Sequence, residues 1–86
     1  MNEYITSDLG LATYLNTIGY IIKDTQLLTA NKLNFIFEST VELERDVAAY
    51  FSLSGVAPAR KLFEAYRSLR ALTYQKTGNL RRGSIA

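Results

Sequence analysis

Seven basic side chains lie in the last third of this 86-residue chain, where Glu64 is the one acid. They are Arg60, Lys61, Arg67, Arg70, Lys76, Arg81 and Arg82. Residues 1–50 have the opposite balance, three basic against seven acidic side chains, so the formal net charge of +2 hides a strong asymmetry. Because a basic segment of this kind attracts polyanions and acidic protein surfaces, these seven residues are our candidate binding site.

Two interpretations of the basic residues stay open. Cations are favoured toward the C-terminal end of a helix and keep their head groups in water, so the set can be a solvated helix face without a ligand. Alternatively, the arginines contact phosphates, and Arg81 and Arg82 continue the surface beyond the helix. Tyr74 follows Arg70 by four residues on the side expected to be exposed, so we include it as a stacking or interface residue.

Catalytic chemistry finds little support in this composition. The chain has no histidine and no cysteine, which removes the usual general bases, thiol nucleophiles and metal ligands. Glu42, Glu44 and Asp46 are close enough in sequence to hold a hard cation, but acids near a helix N-terminus are favoured there as surface groups. We therefore predict a non-enzymatic protein with no catalytic residue, no metal and no cofactor.

The size of the chain predicts a single domain, because 86 residues cannot enclose two cores. Hydrophobic residues make up 48%, enough for a packed core. No apolar run approaches the roughly 20 residues of a membrane-spanning helix, the N-terminal residues do not resemble a signal peptide, and the absence of cysteine suits a reducing compartment. We expect a cytoplasmic domain over residues 1–78, followed by a flexible basic tail at residues 79–86.

The first half of the chain predicts a helix and a β-hairpin. Ser7 is the expected N-cap of a helix over about residues 8–18, which ends at Gly19. Residues 20–23 are rich in β-branched and aromatic side chains and predict a strand; Leu27 and Leu28 either extend it or begin the following turn. Residues 33–38 have large apolar side chains at every second position, from Leu33 to Phe37, and predict the second strand of the hairpin.

Three further features refine the predicted sheet. Asn31 lies in the turn between the two strands and suits a left-handed backbone conformation. The alternation of the second strand places Leu33, Phe35 and Phe37 on one face. Residues 3–6 predict a third strand at the edge of the sheet.

Two helices are predicted in the second half. Residues 39–42 form a capping box, with Ser39 as N-cap and Glu42 as its partner, ahead of a helix over about residues 40–52. Pro58 suits the first turn of a third helix over about residues 58–76, on which Arg60, Glu64 and Arg67 are spaced for ion pairing.

These elements predict an α+β fold, in which a β-hairpin, or three strands with residues 3–6, packs against three helices. The open edge of so small a sheet invites pairing with a second copy or another chain. The predicted core consists of Leu11, Leu15, Ile18, Ile22, Phe35, Phe37, Leu43, Val47, Tyr50, Leu62, Phe63, Tyr66 and Leu69.

Several stretches between Thr6 and Tyr74 resemble a small bacterial and phage domain family of unknown function. They are residues 6–15 (TSDLGLATYL), Gly19 and Tyr20, residues 35–38 (FIFE), residues 59–65 (ARKLFEA), Leu69 and Tyr74. The resemblance covers about four-fifths of the chain and consists of caps, a buried strand and a helix face. It implies an α+β domain of phage or bacterial type and supplies no catalytic residue.

The first functional hypothesis is a phage- or mobile-element-encoded binding module that contacts nucleic acid through its third helix and basic tail. The alternative is a protein–protein interaction module, such as an inhibitor or accessory subunit, that binds an acidic protein surface or forms a homodimer. Neither hypothesis involves a membrane.

Overall fold

A computed structural model describes residues 2–77 of the chain. Its elements are strand β1 (Glu3–Thr6), helix α1 (Leu9–Thr17), strands β2 (Ile22–Thr29) and β3 (Lys32–Glu38), and helices α2 (Val41–Phe51) and α3 (Ala59–Lys76). The predicted α+β fold is confirmed as a three-stranded antiparallel sheet packed against three helices. Between residues 2 and 77, no helix is long and apolar enough to cross a membrane. The predicted tail at residues 79–86 lies outside this part of the chain.

Strand β3 is the centre of the sheet, which has the order β1-β3-β2 with antiparallel pairing on both sides. The predicted edge strand is therefore present as β1. Leu33, Phe35 and Phe37 are buried on the helix side of β3, as their alternation predicts. Ile36 points to the other face and is also buried, because β3 has a neighbouring strand on each side of it.

Helix α1 is the most deeply buried helix, with five consecutive buried residues from Leu11 to Leu15. Asp8, and not the predicted Ser7, is its N-cap: the Asp8 carboxylate accepts a hydrogen bond from the Leu11 amide at 3.1 Å. The predicted stop at Gly19 is confirmed, since Gly19 has a φ of +119°, a conformation that a side chain would strain.

The hairpin differs from its prediction at both ends of β2. The strand begins at Ile22, because Tyr20 lies in the connection from α1, where Asn16 Nδ2 donates to its carbonyl at 3.1 Å. Asn31 does not adopt a left-handed conformation. The Thr29 hydroxyl instead accepts a hydrogen bond from the Asn31 amide at 3.4 Å and stabilises the turn without that conformation.

The cap of helix α2 is shifted by one residue from the predicted capping box. The Thr40 hydroxyl accepts a hydrogen bond from the Leu43 amide at 3.0 Å, whereas the Ser39 hydroxyl donates to the Glu44 carboxylate. Helix α3 begins at Ala59. Pro58, predicted in the first turn of this helix, is instead its N-cap.

Most of the predicted core is confirmed, and two of its members are wrong. Phe63 and Tyr66 are exposed, at 67% and 38% of their surface. Ala12, Tyr14, Leu33 and Ile36 are also buried, although the predicted core does not include them. The predicted residues that are fully buried are Leu11, Leu15, Phe35, Phe37, Leu43 and Leu69, while Ile18, Ile22, Val47, Tyr50 and Leu62 are half-buried at the margin.

Thr40→Ala should lower the free energy of unfolding by about 1 kcal/mol, because it leaves an amide of the first turn of α2 without a partner. Urea denaturation measures the change. Ser39→Ala is the matched control and should cost less than about 0.5 kcal/mol, since its hydroxyl bonds only an exposed carboxylate. An equal loss in both variants would contradict Thr40 as the cap.

Tyr20→Phe should also destabilise the fold, in a way that depends on pH. The Tyr20 hydroxyl donates to Asp46 at 2.7 Å, and this hydrogen bond, with partial burial and the negative charge of Asp46, raises the pKa of Tyr20 to about 12. The native state thus holds the proton more tightly than the unfolded state, whose tyrosine pKa is about 10. The stabilisation by this hydrogen bond is complete below about pH 10, the pKa of the unfolded state, and is lost as the pH rises toward about 12, the pKa of the native state.

Urea denaturation of both proteins at about pH 7 should show Tyr20→Phe less stable by about 1 kcal/mol. At about pH 11 the difference in stability should be smaller. At this pH Tyr20 is largely deprotonated in the unfolded state but still protonated in the native state, so deprotonation stabilises the unfolded state of the protein that carries Tyr20. A difference that stays constant between the two pH values would rule out this role of the hydrogen bond.

Candidate binding face of helix α3

Helix α3 turns a narrow aliphatic stripe toward the core. Leu62, Ala65, Leu69 and Leu72 recur at spacings of three and four, and all four are buried or half-buried. Only part of the circumference of α3 is therefore covered by the rest of the fold.

The opposite side of α3 combines arginines with aromatic rings, within about a third of the helix circumference. Its members, which we call the α3 face, are all exposed: Arg60, Phe63, Tyr66, Arg67, Arg70 and Tyr74. The structure thus brings together four of the predicted site residues and adds two aromatic residues that the sequence had assigned to the core.

The other predicted site residues do not join this face. Lys61 is exposed but nine residues before Arg70, which places it on the opposite side of the helix. Lys76 is in the last turn, where it complements the helix dipole. Arg81 and Arg82 lie outside the described residues, so their part in a site stays a prediction.

An apolar groove of about 310 Å³ opens beside the α3 face. Helix α1 contributes Gly10 and Thr13, helix α2 contributes Tyr50, and α3 contributes Leu62, Phe63 and Tyr66. Gly10 is required for its shape, because a Cβ there would come within 2.5 Å of the Tyr50 hydroxyl oxygen. Burial, with a smaller contribution from the charge of Asp8, raises the pKa of Tyr50, so its hydroxyl keeps its proton to a higher pH than that of a free tyrosine.

The apolar surface continues from this groove into the connection between α2 and α3. A second concavity of about 460 Å³ shares Tyr50 and Leu62 with the first. Leu53 and Val56 line it and are 91% and 84% exposed. Leu53 also has a φ of +64°, an unfavourable conformation for a leucine. Exposed apolar side chains and local strain therefore coincide next to the groove.

The arginines of the α3 face differ in how they are held. Arg70 donates a hydrogen bond from Nη2 to the Tyr74 hydroxyl at 3.2 Å, and its Cζ lies 5.6 Å from the centroid of that ring. This hydrogen bond raises the pKa of Arg70 above its usual range and orients the guanidinium. Arg60 forms an exposed ion pair with Glu64 at 3.7 Å, an interaction worth little in water.

The predicted network of Arg60, Glu64 and Arg67 is only half formed, because Arg67 has no ion-pair partner between residues 2 and 77. Two guanidinium groups, those of Arg67 and Arg70, are thus exposed without a carboxylate among the residues that the structure describes. They can bind an external anion without breaking an internal ion pair.

The acids of helix α2 contribute to the fold itself. Asp46 accepts the hydrogen bond of Tyr20, and Glu44 accepts that of Ser39. No three acidic side chains within residues 2–77 converge on a position where a metal ion could bind. This arrangement favours the interpretation of these acids as surface groups that stabilise the fold.

Phe63 and Tyr66 are the functional candidates that the sequence interpretation missed. A stripe through Leu62, Phe63, Tyr66 and Leu69 and a stripe through Leu62, Ala65, Leu69 and Leu72 fit a helix equally well. The aliphatic composition of the second stripe was the only available signal, and spacing could not decide between them.

Leu69→Ala and Phe63→Ala should have very different effects on stability, although the sequence placed both residues in the core. Leu69 is 5% exposed, so its truncation leaves a cavity and should cost about 2–5 kcal/mol of unfolding free energy. Phe63→Ala should cost less than about 1 kcal/mol, because most of the ring is already in water. Thermal and urea denaturation measure both changes, and comparable losses would contradict the orientation of α3.

Comparison with known proteins identifies the family without identifying a function. No curated protein and no solved structure matches the chain. A family described as a domain of unknown function, DUF5659, matches residues 1–75, which include all three strands, α1, α2 and nearly all of α3. The chain therefore belongs to the DUF5659 family of domains of unknown function.

Proposed function

We propose that this domain is a non-enzymatic protein-interaction module that binds its partner through the α3 face and the adjoining apolar groove. The observation that carries the proposal is the position of this groove next to the exposed ring of Phe63 and on the same side as three arginines. Exposed apolar patches on a small domain mark interaction sites, and aromatic residues and arginine are enriched at the centres of interfaces.

The lining of the groove supports binding in preference to catalysis. Its walls are nearly free of polar atoms, so no acid, base or nucleophile converges on a bound molecule. The volume of about 310 Å³ suits one bulky apolar side chain. A groove of this kind can hold an anchor residue of a partner while the surrounding surface excludes water.

Nucleic acid is the second candidate ligand, and the alternation of arginines with aromatic rings on α3 favours it. Arginines can contact phosphates while the rings of Phe63, Tyr66 and Tyr74 stack on bases. We place it second because Leu53 and Val56 belong to the same exposed surface, and these aliphatic side chains can neither stack on bases nor contact phosphates.

A photo-crosslinking amino acid, p-benzoylphenylalanine, placed at position 63 should form adducts with a partner protein in cells that carry the gene. Position 41 is the matched control, because Val41 is similarly exposed, at 74%, but lies on α2 and lines neither the groove nor the concavity beside it. Adducts at position 63 that are absent at position 41 and weaker in the Arg70→Glu variant would support the proposal. Equal adducts at both positions, or no protein adduct at position 63, would contradict it.

Fluorescence anisotropy with labelled single-stranded DNA, duplex DNA and RNA tests the second candidate. Binding through phosphates must weaken by about tenfold or more between about 50 and 200 mM salt, and Arg67→Ala must reduce its salt dependence. We expect no such binding. A strong, salt-dependent complex that Phe63→Ala and Arg67→Ala both weaken would instead make nucleic acid the ligand of the α3 face.

A further inference from the structure

We infer that the partner presents an acidic segment with one bulky apolar side chain, which enters the groove while neighbouring carboxylates bind Arg67 and Arg70. This inference rests on the proposed function and specifies the chemistry of the partner. It follows from the lining of the groove, the charges beside it and the distance between them.

The lining of the groove determines which side chain of the partner can enter it as an anchor. Its floor is Gly10 and Thr13, and its walls are the rings of Tyr50, Phe63 and Tyr66 with Leu62. A charged or strongly polar side chain would lose its hydration there without gaining a hydrogen bond. A phenylalanine, tryptophan, leucine or methionine side chain suits both the volume and the apolar lining.

The charges beside the groove determine which groups of the partner should lie next to the anchor. Helix α3 carries Arg60, Lys61, Arg67, Arg70 and Lys76 against the single acid Glu64, which is already paired with Arg60. A partner that covers Arg67 and Arg70 removes water from both guanidinium groups, and this costs free energy unless carboxylates replace that water. Carboxylates also form the strongest hydrogen bonds that guanidinium groups make with side chains.

The guanidinium group of Arg70 is already held in place before a carboxylate binds. Its contact with Tyr74 holds the guanidinium against the ring, so less conformational freedom is lost when a carboxylate binds. The Tyr74 hydroxyl is itself exposed on the same side and can donate to the second carboxylate oxygen.

The geometry of α3 sets the spacing between the anchor and the acids. Tyr66 lines the groove, and Arg70 lies one helical turn further, about 6 Å along the axis. This distance corresponds to four residues of a helical partner or two residues of an extended one. The segment should therefore carry aspartate or glutamate within four positions of its apolar anchor.

A second copy of the chain is a poor occupant. Its own acidic stretch, at the start of α2, offers Glu42 and Glu44 beside exposed Val41. Valine fills less of the groove of about 310 Å³ than the bulkier anchors named above, and Glu44 already accepts the hydrogen bond of Ser39. The chemistry of the groove therefore points to a segment of a different protein.

Selection from a random peptide library displayed on phage, with the full-length chain as target, tests the inference. The selected sequences should combine a bulky apolar residue with at least two acids within four positions. A labelled peptide from this set should bind about tenfold more weakly or worse after replacement of its apolar residue by alanine, and likewise to the Phe63→Ala and Arg70→Glu variants.

Lys61→Glu is the matched control for Arg70→Glu, since it changes the net charge equally on the opposite side of α3. Lys61→Glu should change the affinity of the peptide less than about threefold, because position 61 can act on the peptide only through long-range electrostatics. Circular dichroism of each variant confirms that α3 is folded. Equal effects of the two charge reversals would overturn the inference, because the peptide would then respond to net charge and not to the face.

Three other outcomes would also overturn it. One is a consensus of basic or uncharged peptides, and another is the recovery of no peptide. The third is a stable dimer in light scattering that Phe63→Ala dissociates, which would make a second copy the occupant. If position 63 still crosslinks to a protein in any of these cases, the proposed function survives without the acidic segment. If it does not, both proposals fail.

Discussion

The burial of the inner face of strand β3 under the helices is the constraint on which the rest of the structure depends. β3 is the strand with a neighbour on each side, and Phe35 and Phe37 on its inner face are almost completely buried. A three-stranded sheet is too small to be stable alone, so its apolar face must be covered by helices. Helix α1 is buried at five consecutive positions, α2 and α3 both pack against it, and α3 also contacts β3.

This arrangement determines how much of α3 can be buried. A helix that packs on the outside of a small domain covers only one stripe of its surface, and α3 uses Leu62, Ala65, Leu69 and Leu72 for it. The ring of Phe63 is left mostly in water, and Tyr66 remains partly exposed. Burying a phenylalanine side chain stabilises a domain by about 1.5–3 kcal/mol, so a fold shaped by stability alone would gain from placing this ring in the core. Its exposure beside an apolar groove is the physical basis of the binding role that we propose for this side of the molecule.

The structure also explains the charge asymmetry of the sequence. Several acids have partners within the fold: Asp8 caps α1, Asp46 accepts the hydrogen bond of Tyr20, and Glu3 pairs with Lys23. The bases of α3 have few such partners, and Arg70 is held by an aromatic hydroxyl instead of a carboxylate. Acids thus contribute to the stability of the domain, while arginines remain available at its surface. The sum of charges in the sequence could not make this distinction, because it does not record which groups are paired.

The sequence by itself determined the fold class, the edge strand, the inner face of β3 and the ends of the helices to within one or two residues, because these depend on local periodicity and on residues such as Gly19 and Pro58. It also placed Arg60, Arg67 and Tyr74 on the exposed side of α3, and Arg70 at the edge of the apolar stripe. Only the tertiary structure decided that Asp8 and Thr40 are the caps, since several neighbouring side chains could have reached the same amides. It alone decided that Phe63 and Tyr66 face outward, because two apolar stripes share Leu62 and Leu69, and the position of α1 determines which of them is buried.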